Sequence, residues 1–169
     1  MLVTEGQITM DAFQAATKYL EVSELIHMVN PESHELHAVV STDSGIANVM
    51  ILTQEPMLRV IAISGARVPL KARPAVAEFI ARAQFNMEFA RLDFDYDKGF
   101  LAIRTSVMLD SEQGIEPDAV GGIVKTALSC LDHFLPGYLA VAFGGHPPAR
   151  ALAALDENEE VEGEKKKPT

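Results

Sequence analysis

Asp93, Asp95 and Asp97 stand at every second position ahead of Gly99, a spacing that invites a calcium-loop reading. A loop of that kind needs glycine at its sixth position and a bidentate glutamate at its twelfth. Counted from Asp93, those positions hold Lys98 and Arg104, so the three acids read as the polar face of a hairpin. His34 and His37 are three apart, which in an extended segment puts them on opposite faces, and neither an HExxH pattern nor a cysteine pair accompanies them. No metal site is expected. His27, His133 and His146 are scattered and tied to no nucleophile. Cys130 precedes His133 by three residues at the margin of an apolar helical stripe, and reads as a half-buried core thiol, not a thiolate with its base. There is no P-loop, dinucleotide glycine fingerprint or G-x-S-x-G elbow. These patterns predict a non-enzymatic protein that uses no cofactor.

Two further groups point to binding. Arg67, Lys71 and Arg73 form a basic patch near a helix start, where the helix dipole also favours anions. A small domain that binds an anionic ligand is therefore the alternative function. Gly122, Thr126, Ser129 and His133 share one strip on the back of the last helix, small and barely charged, so another chain could approach closely there.

The formal net charge is −10; the stretch from Asp156 to Thr169 holds six acids and three lysines, so −3 lies there and −7 in the rest. Binding to nucleic acid and to anionic lipid runs largely on cationic neutralisation of phosphates, so both are poor partners for this surface. No apolar run approaches the roughly 20 residues that span a bilayer. Met1 to Glu5 lacks a basic segment leading into an apolar one, and the lone cysteine fits a reducing compartment, so a cytoplasmic location is expected. A chain of 169 residues is long enough to bury one core unaided. The expected division is one domain over 1–148 and a disordered charged tail over 149–169, because charge with Gly and Pro buries too little to order itself.

The elements that must position these residues follow from periodicity. Met10 to Leu20 puts Phe13, Ala16, Thr17 and Leu20 on one helical face, with Thr9 as its N-cap; Glu21 to Asn30 is ambiguous. Leu36–Thr42, Ile46–Thr53 and Met57–Ser64 are β-rich runs separated by Asp43-Ser44-Gly45 and Glu55-Pro56, the punctuation of an antiparallel meander. Val76, Phe79, Ile80 and Ala83 form the stripe of a second helix starting near Ala72 or Arg73, with Pro74 in its first turn. Pro117 opens a long helix through Val120, Ile123, Val124, Ala127, Leu128, Leu131, Phe134 and Leu135, which Pro136 should kink or restart, with a second piece from Gly137 to Phe143.

Between these helices lies a hairpin whose faces are fixed by parity. Leu92, Phe94 and Tyr96 must face the same way as Leu101, Ile103, Val107 and Leu109. Directly opposed residues point the same way, and these numbers are even on the first strand and odd on the second, so paired residue numbers have an odd sum. Phe94 can then oppose Leu101 or Ile103. The second register sets Asp93 against Arg104 and is preferred for that opposite-charge pair.

The run AEFIARAQFNMEFARLDFDYDKGFLAIRTSVMLD from Ala77 to Asp110, with the order α-β-β-β-α-β-β-α, resembles the YbjN domain family. The resemblance covers about Leu36 to Phe143. It implies an α+β fold with an antiparallel sheet like that of type III secretion chaperones, which are small acidic proteins that usually dimerise and bind other polypeptides. It also implies a bacterial chaperone-like adaptor or sensory transduction regulator, a homodimer with a protein or peptide partner, and no catalytic residues.

Overall fold

The computed structural model describes residues 10–85, 87–110 and 113–165, with side chains as far as Asp156. Its elements are α1 (Ala12–Val22), β1 (Ile26–Asn30), β2 (Glu35–Thr42), β3 (Gly45–Gln54), β4 (Met57–Arg67), α2 (Arg73–Gln84), β5 (Arg91–Asp95), β6 (Phe100–Met108), α3 (Pro117–Ala142) and α4 (Pro148–Lys165). The six strands form one antiparallel sheet in the order β1-β2-β3-β4-β6-β5, so the class is α+β as expected.

Helix α1 is capped by Asp11, whose Oδ1 accepts from the Gln14 N–H at 2.9 Å; the expected cap, Thr9, lies outside the described residues. The ambiguous stretch after it resolves into the end of α1 and a fourth meander strand, β1. Asn30 closes the next turn by accepting from the Glu32 and Ser33 N–H groups, and His34 adopts a left-handed φ of 55°. Thr53 then donates both its N–H and its hydroxyl to the His34 carbonyl, each at 3.1 Å.

One face of the sheet is covered by α1, α2 and α3, and α4 packs against α2 and α3. Leu36 and Ala38, Val49 and Ile51, Leu58 and Val60, Leu92, and Leu101 and Ile103 point into this layer with Leu20, Phe79, Leu131 and Tyr138. Close helix approach depends on glycine. A Cβ on Gly121 would stand 2.7 Å from the Tyr19 ring, and one on Gly137 would stand 2.8 Å from the ring of Phe79.

Three expectations are corrected. The hairpin keeps the odd-sum parity but takes the other register: Phe94 opposes Leu101 and Arg104 opposes Arg91. The turn decides it, since Gly99, at φ 75°, donates to the Asp95 carbonyl at 2.6 Å while Lys98 N–H bonds Asp95 Oδ1 at 2.8 Å. Helix α3 does not restart at Pro136 but runs through it, and Gly137 and Tyr138 just beyond are buried. The chain after 148 begins a helix, with Ala151 and Leu155 buried against the domain, in place of a disordered tail.

Candidate interaction surface

Residues paired across strands point the same way, so the register lays the other face of the sheet out in rows. One row runs Met28, His37, Met50, Ile61, Arg104, Arg91 from β1 to β5. Its neighbour runs Ile26, Val39, Asn48, Ile63, Ala102, Asp93. None of Ile26, Met28, Val39, Met50, Ile61 or Ile63 belongs to the hydrophobic core or to the partly buried residues packed on it. Ile26 is 82% exposed and Met28 72%, values at which a lone surface residue is ordinary but a contiguous group is not.

At β5 lies a hollow of about 880 Å³, lined by Met50, Ile61 and Ile63 of this face and also by Ala77, Ala81 and Gln84 of α2. A second hollow of about 530 Å³ adjoins it, lined by Met57, Arg59, Phe89 and Ser106, with Arg91 and Arg104 common to both. Asp93 Oδ1 lies 2.7 Å from Arg91 Nε, and its Oδ2 lies 2.9 Å from Arg104 Nη2. The second contact is an ion pair without hydrogen-bond alignment, and Arg104 Nε, shut off from water, has no hydrogen-bond partner among the described residues. Asp93 is thus committed to two arginines, and Asp95 to the hairpin turn and to Lys98 Nζ at 3.7 Å.

The fold is similar to that of YbjN, a candidate transcription regulator from E. coli, whose crystal structure aligns with 80% of this chain and 93% of that one at a TM-score of 0.54 and 12% identity. At that identity the likeness shows the fold alone. No protein-family model matches the chain, and no curated protein is similar to it.

The sequence-derived site residues are placed apart from this face. Arg73 donates from Nη1 to the Tyr96 and Asp97 carbonyls at 2.8 and 2.7 Å and from Nε to the Val68 carbonyl at 3.3 Å. Its guanidinium therefore clamps the β5–β6 turn, while Arg67 and Lys71 are exposed. On α3, Gly122, Thr126 and Ser129 face water, with the Thr126 hydroxyl donating to the Gly122 carbonyl at 2.9 Å, and His133 is half-buried edge-on to Phe134. Cys130 is a half-buried free thiol whose pKa is raised by burial, so it holds its proton at neutral pH. Among the described residues no helix is long and apolar enough to cross a membrane. The outer face was missed because strands such as Val49–Leu52 and Val60–Ile63 read as continuous apolar runs. Only the alternation of buried and open positions separates core from surface in them.

Proposed function

We propose that the protein is a non-enzymatic interaction domain that holds a polypeptide segment on the outer face of its sheet, as a chaperone-like adaptor or regulator does. One observation carries this reading: Ile26, Met28, Val39, Met50, Ile61 and Ile63 are contiguous across four strands and lie outside the core. A one-layered antiparallel sheet ordinarily keeps its water face polar. Covering each large apolar side chain is worth about 1.5–3 kcal/mol, enough for a few of them to offset the cost of ordering a peptide. With strands about 4.8 Å apart, a row across the six strands is about 24 Å long, the reach of about seven extended residues. The regulator label of the protein of similar fold agrees with a binding role and adds no residue to it.

A photo-crosslinking amino acid placed at position 50 in the protein expressed in bacterial cells tests the reading, with position 126 on α3 as the contrast. A discrete polypeptide adduct at 50, absent at 126 and lost on Ile61→Arg, is the expected result. Adducts confined to 126 would move the contact to α3 and end the proposal.

A further inference from the structure

We infer that the segment held on the outer face is anionic, seating carboxylates on Arg59, Arg91 and Arg104 while its apolar side chains lie on Met50, Ile61 and Ile63. The inference rests on the interaction reading above and names the chemistry of the partner. Arg59, half-buried on β4, donates from Nη2 to Met57 Sδ at 3.6 Å, and among the described residues no carboxylate lies within ion-pair distance of it. Arg91 and Arg104 are direct cross-strand partners, an arrangement of like charges that opposes sheet pairing. One carboxylate, Asp93, is shared between them. Among the described residues the second hollow thus gathers three arginines, Arg91 and Arg104 shared with the first and Arg59 its own, against one ion-paired carboxylate, and Arg104 Nε still lacks an acceptor.

The other acids on the lining do not supply one. Asp95 is held by the hairpin turn and Lys98, and Glu88 stands exposed at the mouth. The chain as a whole carries −10, yet charges farther apart than about 8 Å are largely screened at physiological salt, so the local arginines decide what is bound here. The guanidinium fork matches a carboxylate bidentately, which an ammonium or amide ligand cannot reproduce. In an extended segment every second side chain shares a face at a spacing of about 6.6 Å, so a stretch whose alternate positions are in turn acidic and apolar presents both kinds to the sheet, acids to the arginines and apolar groups to Met50, Ile61 and Ile63. An open groove suits a chain passing through; a small anion would need a more enclosing site.

Fluorescence polarisation with three labelled peptides of about ten residues, in which every second residue is in turn valine and either glutamate, glutamine or lysine, with serine between, tests this on the full chain. The glutamate peptide is expected to bind about tenfold or more tightly than either other peptide. The preference should shrink in about 1 M salt, where screening acts within about 3 Å. Arg59→Gln should reduce it to within about twofold, and Arg67→Gln should leave it intact, with circular-dichroism melts confirming that both variants fold. Equal or tighter binding of the glutamine or lysine peptide overturns the anionic assignment and leaves the interaction reading standing. Binding by none of the three at about 1 mM also overturns it, while the crosslink at position 50 decides the interaction reading separately.

Discussion

Asp93 and Arg104 form an ion pair of 2.9 Å although their backbones are not partners, since Asp93 lies opposite Ala102 and Arg104 opposite Arg91. The carboxylate reaches diagonally and so relieves two arginines that the register forces together. Asp93→Asn should therefore lower unfolding stability by about 1 kcal/mol, near the upper end for a partly exposed pair, as read by urea denaturation. The same change frees the arginines and should tighten the acidic peptide. A variant that loses stability and peptide affinity together would contradict this division of roles.

Neighbouring residues on one strand should differ sharply. Ile51 is 1% exposed and faces the helices, while Met50 faces the hollow. Ile51→Ala should cost about 2–5 kcal/mol and Met50→Ala less than about 1 kcal/mol in chemical denaturation, with peptide binding weakened only by the second. Equal losses would mean that both faces of β3 are covered.

Two glycines of α3 should respond with opposite signs. A Cβ on Gly122 would meet nothing within 4 Å, so Gly122→Ala gains helix propensity and should stabilise by up to about 1 kcal/mol. A Cβ on Gly137 would press on buried Phe79 and stand 3.1 Å from Leu155. Overpacking of that kind costs about 1–3 kcal/mol, so Gly137→Ala should be a net loss of about 1 kcal/mol despite the same propensity gain. Thermal melts of the two variants distinguish the effects.

Tyr138 is fully buried, its hydroxyl donating to the Ala66 and Gly99 carbonyls at 3.2 and 3.3 Å. Burial pushes its pKa up from 10.0 to about 12, against a smaller lowering by the backbone at Leu101. The neutral phenol is favoured by the fold, so its contribution is complete below pH 10 and is lost as pH rises from there to about 12. Tyr138→Phe should flatten that alkaline part of the stability curve, measured by denaturant titration across the range.

The long helices and the hairpin parity were legible because their apolar residues repeat with period 3.6 or 2. The hairpin register was not, because Asp93 and Arg104 suggested a direct pair that the protein makes diagonally, while the left-handed Gly99 and the Asp95 turn fix the strands. Strand β1 was hidden because its water-facing residues, Ile26 and Met28, are apolar and its inward-facing ones include His27, which removes the usual alternation. Helix α4 was hidden because its short stripe of Ala151, Leu152 and Leu155 runs into acids. Arg73 looked available because the carbonyls it clamps at Tyr96 and Asp97 are 23 and 24 residues away. The candidate face itself exists only after five strand pairings have set the rows.

The methionines report separately on the two sides of the sheet. Met28, Met50, Met57 and Met108 lie on the outer face, whereas Met10 and Met87 pack against the core. In spectra of protein labelled at the methionine methyls, saturation with the valine–glutamate peptide should shift Met50 and Met57 and leave Met10 and Met87 in place. Shifts confined to Met10 and Met87, or no shift at any outer-face methionine, would contradict docking on the sheet.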